Sequence, residues 1–496
     1  MTASALDALL GRLTSGVGVG RERLEFTGRP VLESFFPVSE LAAASAAVVG
    51  LAAADLRQAL GFSDDVVVVD RGLADAWFGF ALRPIGWQLP SPWDPIAGDY
   101  RALGADGVDG WIRLHTNAPH HRAAALRVLG VAADRAAVAD AVASWVAGEL
   151  ESAVVAEGGC AAELRTSAAW AEHPQGAAVA LEPLVHRNHS DPPADAAPAR
   201  WRPTSAHPLA GLRVLDLTRV LAGPAATRLL AGLGAEVLRI DPPGWDEPAI
   251  VPEMTLGKRA ARLDAHDPAD RDRLLELLAG ADVVVSGYRA DALERLGLGE
   301  GPRARLRPGL IDVSLDAYGH TGPWAARRGF DSLVQMSSGI AAAGLEAGVA
   351  DRPTPLPVQA LDQATGYLMA AAALAGLTAR VRDGVGTRAK LSLARTAVEL
   401  DAARGLAVDA TPPGMTGVAP DYPRTAISTP WGAAELLRAP LSIAGVPLTW
   451  TLPPRELGSD APLWSDRRSG LNAGGSSPAR PGDGSGSAGG STAAPG

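Results

Sequence analysis

Cysteine is all but absent from this 496-residue chain, in which Cys160 stands alone. A single thiol excludes an internal disulfide framework, and fits a reducing compartment or a core large enough to need no covalent staple. Its surroundings, EGGCAAEL, offer no His or Lys to activate a thiolate, so Cys160 reads as a small packed residue. Lysine is nearly as scarce: Lys258 and Lys390 apart, arginine carries the positive charge, and the formal net charge is −10. That balance argues against a nucleic-acid or anionic-membrane surface, both of which need clustered cations. Long apolar runs are missing too, since 41–54 and 367–377 fall short of the ~20 residues that span a bilayer. The opening MTASALDALLGRLTSG lacks the basic stretch and apolar core of a signal peptide. Together these absences predict a soluble cytoplasmic protein with no nucleic-acid or membrane partner.

What is present suggests two or three domains, on a prior of about 150 residues each. Residues 188–206, rich in Pro, Ala and polar side chains, read as a linker, and 467–496 as a disordered tail with little to bury. Between them the pattern is β/α. GLRVLDLT (211–218) reads as a buried strand, GPAATRLLAGLG (223–234) as a helix with Pro224 in its first turn, and AEVLRID (235–241), ADVVVSGY (281–288) and GLIDVSLDAYG (309–319) as further strands. Strand, helix and strand within about thirty residues imply parallel pairing through a right-handed crossover, hence an α/β, Rossmann-like core. Asp241 falls about where such folds place a ribose-binding acid. The first turn, however, reads LTRVLAGPAA and lacks G-x-G-x-x-G, which argues against NAD.

An apparent repeat links the two ends. PVSELAAASAAVVGLAAADL (37–56) lies over PVQALDQATGYLMAAAALAG (357–376) at constant offset, an alignment that sets Asp362 opposite Ala42. Asp362 invites two readings. An Asp before an alanine-rich run is a favoured helix N-cap; a carboxylate at a helix N-terminus can also be a reactive group.

The two readings are compatible, and the motif order favours the second. PLAGLRVLDLTRVLAGP (208–224), LGAEVLRID, GKRAARLD (257–264), ADVVVSGYRADALERLG (281–297) and AYGHTGPWAARRGFDSLVQMSSG (317–339) resemble, in order and spacing, the family III CoA-transferases, the group of formyl-CoA and carnitine CoA-transferases and the α-methylacyl-CoA racemases. The resemblance covers about 208–400. It implies the family's Rossmann-like core with a smaller α+β domain, CoA and acyl-CoA as substrates with no tightly bound cofactor, and Asp362 as the nucleophile of CoA transfer to a carboxylic acid. It further implies CoA contacts at Arg219, Val220, Leu221 and Ala222, at Tyr288, Arg295 and Leu296, and at Asp316, Ala317 and Tyr318, with Lys258 and Arg259 as further phosphate candidates. The family's racemases carry His where this chain has Phe330, so racemisation is disfavoured; Asp331 is expected to be a structural or hydrogen-bonding acid. A non-catalytic CoA-binding subunit is the other alternative.

His115, His120 and His121, in HTNAPHHR, lack a nearby Cys or paired carboxylate motif and read as solvated turn residues, with no metal site. DGWIRLHTN and TSAAWAEHPQG resemble pieces of the family's small domain, here preceding the catalytic half. The expected organisation is a degenerate repeat over 1–106, the small domain over 107–187, the linker, the catalytic core over 207–466 and the tail. Such a chain would act as an intrachain pseudo-dimer or a homodimer. GMTG at 414–417 is a poor counterpart of the family's glycine-rich loop.

Overall fold

The computed structural model describes residues 4–63, 66–105, 107, 109–190, 200–244, 246–288, 290–408 and 422–465. GMTG, residues 191–199 of the 188–206 linker and the tail from 467 lie outside the described residues.

A seven-stranded sheet carries the core. Its order is Lys258–Arg262, Glu236–Asp241, Arg213–Leu217, Val283–Ser286, Ile311–Asp316, Thr387–Ser392 and His186–His189, parallel throughout except for the last pair. Counting from Arg213–Leu217, the sequence runs third, second, first, fourth, fifth, sixth, the doubly wound order of dinucleotide-binding folds. The topological switch point therefore lies between Arg213–Leu217 and Val283–Ser286, where ligands of open α/β sheets bind beyond the carboxyl ends of the strands. Val, Leu and Ile fill these strands because both faces are covered: Val214, Leu215, Val284 and Val313 are fully buried.

Two helices form the spine of the core. Val38–Ala59 and Ala360–Asp383 pack along one another, and nearly every residue of each is buried. At 22 and 24 residues they are long and apolar enough, by length and composition, to cross a membrane, which the shorter apolar runs alone had not suggested. Here they are core helices, which explains why alanine dominates both, since small side chains let the axes approach closely. Gly366 is required at one such approach, because a Cβ there would sit 2.3 Å from the carbonyl oxygen of Ala222 at the start of the Ala222–Gly232 helix.

The two helices also start alike. Each has an N-cap of unusual geometry, Pro37 at φ −74, ψ 65 and Gln359 at φ −74, ψ 66, and each leads through a strand to a capped helix, with Asp70 and Ser392 as caps. Both cap pairs are 322 positions apart, two more than the sequence alignment used. That register sets Glu40, not Ala42, at the place of Asp362. Glu40 is buried and paired with Arg71 at 3.2 Å.

The smaller α+β part is a three-stranded antiparallel sheet, Gly98–Leu103, Asp109–Leu114 and Ala161–Glu163, with its own core of Tyr100, Ile112, Leu114, Val138, Leu150 and Val154. Late strands return to early ones: Leu441–Ile443 pairs with Val67–Asp70, and Gly432–Leu437 with Leu82–Pro84.

Candidate active site

Asp362 is the third residue of its helix rather than the cap, and no side chain caps that end, so the N-cap reading is corrected. Its carboxylate, 7% exposed, lines a cavity of about 490 Å³. Val220 and Leu221, in the loop after the first core strand, line the same cavity. So do Glu247, Phe330, Asp331, Ser332 and Gln363, while Phe78, Phe80, Trp93 and His115 form walls contributed by the first 120 residues.

Three buried carboxyl groups set the electrostatics. Burial, followed by the charges of Asp331 and Glu247, holds Asp362 well above the ordinary carboxylate range. Burial pushes Asp331 up to about 6, against hydrogen bonds from the Asp362 and Leu361 N–H groups and the Gln335 amide. The bond from Asp362 N to Asp331 Oδ2 is 2.9 Å long, which joins the starts of the Asp331–Ser337 and Ala360–Asp383 helices. Burial also raises Glu247, opposed by Arg219 and Arg239. Crowded acids in a dry site favour neutral forms, which outweighs the pull of one helix dipole on Asp362.

Glu247 has a second effect. It accepts the N–H of Val220 at 3.0 Å, and Val220 sits at φ 64, a left-handed conformation that a β-branched residue avoids. A strained residue held by a buried acid beside Asp362 is the signature of a loop shaped for a ligand. Nothing in the local sequence of Glu247 marks it; only the fold brings it here. Ser332 and Gln363 also line the cavity, and the Ser332 hydroxyl and the Gln363 Oε1 are buried without a hydrogen-bond partner.

The other implied contact residues are distributed around this centre. Arg219 acts electrostatically on Glu247, Tyr288 and His120, between the large cavity and a smaller one. Tyr288 and Asp316 line that smaller cavity with Leu293, Glu294 and Lys390; burial pushes Tyr288 up to about 12 and raises Asp316 well above its usual range. Ala222 begins its helix behind Leu221, while Arg295 and Leu296 end and follow the Ala290–Arg295 helix, Arg295 on the surface. Ala317 and Tyr318 are buried, and the Tyr318 hydroxyl meets Ser337 Oγ at 3.2 Å.

Several expectations are corrected. Lys258 is fully buried, its Nζ 2.9 Å from Asp216 and 2.8 Å from the Pro224 carbonyl, so it braces the loop from beneath rather than facing a phosphate. Arg259 turns to Glu236 at 3.5 Å and Asp460 at 3.7 Å. The histidines are not all solvated: His115 and His121 are buried, and burial pushes each down to about 3. His115 stacks on Phe330 with centroids 3.7 Å apart. Asp241 is engaged by Arg239 through two 2.8 Å bonds, which occupies the ribose-binding position.

A doubly wound sheet with a buried carboxyl group in a cavity beside its switch point is a ligand-binding geometry. Residues 209–423 match the family model of CoA-transferase family III. A probable fatty acyl-CoA transferase of Mycobacterium tuberculosis is 36% identical over 222 residues, 40% of this chain and 54% of that one. The succinyl-CoA:glutarate CoA-transferase of Mus musculus is 38% identical over 196 residues, 37% of this chain and 44% of that one. A crystal structure of the M. tuberculosis protein aligns at 35% identity with a TM-score of 0.37, covering 40% of this chain and 56% of that one. The chain spans about half the length of the curated relatives it matches.

Proposed function

We propose that the protein transfers CoA between an acyl-CoA and a carboxylic acid, with Asp362 as nucleophile. The observation that carries this reading is Asp362 lining a cavity with the loop after the first core strand, within a segment that matches a CoA-transferase family. In its ionised form the carboxylate attacks the thioester carbonyl, forming an aspartyl anhydride and releasing the CoA thiolate. The thiolate attacks the Asp362 carbonyl, giving aspartyl-CoA and freeing the donor acid; an acceptor carboxylate then runs the two steps in reverse. Phe330 moves no proton, which disfavours racemisation.

The same reading takes the N-terminal half as an intrachain counterpart of the catalytic half, making the chain a pseudo-dimer. The matched caps, and the Glu40–Arg71 pair at the counterpart of Asp362, support it: a carboxylate neutralised by a buried guanidinium is a poor nucleophile.

Incubation with a panel of acyl-CoAs, trapping with hydroxylamine or borohydride, and peptide mass spectrometry should place the modification on Asp362. An unmodified Asp362 across the panel would sink the reading.

A further inference from the structure

The walls of the Asp362 cavity carry more information than its nucleophile. Phe78, Phe80, Trp93, His115 and Phe330 surround it with rings, and Pro92, Pro248, Ala249, Ile250 and Val358 fill the gaps. No Lys or Arg is among the described residues lining it, whereas Asp94, Asp246 and Glu247 are. Arg113 lies behind the wall, stacked over Trp93 at 5.1 Å and paired with Asp99 at 2.6 Å. We propose, resting on the transferase reading, that this cavity takes an uncharged, apolar acyl group and rejects acyl groups bearing a second carboxylate. Phe78, Phe80, Trp93 and Phe330 are its specificity-determining residues.

Two physical arguments lead there. A ring-lined pocket gains from apolar surface removed from water and from ring contacts. A second carboxylate would meet acids on the lining, and the arginines next to them are already engaged, Arg122 with Asp94 at 3.4 Å and Arg262 with Asp246 at 2.7 Å, so its desolvation goes uncompensated.

The aromatic wall is also built to hold its position. Glu253, 2% exposed, accepts the Leu82 N–H at 2.8 Å and the Ala81 N–H at 3.3 Å, and pairs with buried Arg228. Arg228 in turn lies over Trp77 at 4.6 Å, and Phe78 meets the edge of Tyr367, one turn beyond Asp362, at 5.6 Å. The 77–82 segment is thus clamped against the catalytic half, and acyl recognition falls to a part of the chain distant in sequence from the nucleophile. Phe80, 45% exposed, stands at the rim, where substitution leaves the core intact.

The test uses the full chain with phenylacetyl-CoA, hexanoyl-CoA and succinyl-CoA as donors, and with their non-hydrolysable thioether analogues in calorimetric binding. Phenylacetyl-CoA and hexanoyl-CoA should exceed succinyl-CoA by on the order of tenfold or more in kcat/KM, and their analogues should bind in the same order. Phe80→Arg and Trp93→Arg should each narrow the gap by about tenfold by giving the second carboxylate a partner. Equal or preferential binding of the succinyl analogue would overturn the proposal, as would arginine variants that leave the ratio unchanged. Analogue binding separates the two claims: if no donor is turned over but the apolar analogues still bind tenfold tighter, the transferase reading fails and the pocket assignment stands.

Discussion

At the scale of single residues, the decisive feature is that the surroundings of Asp362 favour its neutral form. Its acid form is favoured by burial and by Asp331 and Glu247, so the reactive carboxylate must be made against that field. Acylation should therefore accelerate as pH rises through a range above that of an ordinary carboxylate. Asp331→Asn removes a like charge while keeping an oxygen to accept the Asp362 N–H, so the rising limb should move to lower pH; an unmoved limb in single-turnover measurements would refute the coupling. Stability runs the opposite way. Both acids have folded-state values raised above the unfolded one, so their stabilisation is complete below about pH 4 and is lost as pH rises through the folded values, about 6 for Asp331. Asp362→Asn should thus abolish the adduct and yet stabilise the fold at pH 8, with no gain at pH 4, as measured by urea denaturation at the two pH values.

At the scale of elements, the loop after Arg213–Leu217 is held from two sides. Glu247 fixes the Val220 N–H from outside, and Lys258, with Asp216, Thr218 and Thr227, braces it from within. Val220→Gly removes the penalty of φ 64 and should stabilise the fold or leave it unchanged, whereas Lys258→Met strands Asp216 in the core and should destabilise by about 3–5 kcal/mol in chemical denaturation. The loop's contrast with its neighbours shows what could be read without coordinates. Short Leu- and Val-rich strands announced themselves, because a two-sided sheet demands continuous apolar runs. The motif order led to Asp362, which the fold then put in a cavity. The register of the two alanine-rich helices could not be read: helices buried all round carry little periodic contrast, so a shift of two positions looks as good as the true one. The burial of His115, His121 and Lys258 was equally hidden, since the apolar neighbours that enclose them come from distant segments.

At the scale of the larger unit, the cavity draws on segments far apart in sequence: residues 78–117 supply walls, 220–250 a rim with Glu247, and 330–363 Asp331 and Asp362, so no short contiguous stretch contains the site. The stability of the catalytic half follows the same logic. Ala360–Asp383 is buried partly beneath Val38–Ala59, and removing the latter would expose a long face of Leu and Ala along the helix that carries Asp362. Loss of Val67–Asp70, an inner strand between Leu24–Thr27 and Leu441–Ile443, would likewise leave Leu441–Ile443 paired only with Val446–Pro447. Residues 207–465 produced alone should therefore aggregate or lose near-ultraviolet circular dichroism, by exposing an apolar patch far above the few hundred Å² that soluble monomers carry. Co-expression with residues 1–190 should restore a soluble complex by refilling that face. A monomeric, cooperatively unfolding 207–465 fragment would show instead that the N-terminal half is an accessory to an independent core, and that the acyl pocket is built across a boundary the fold does not need.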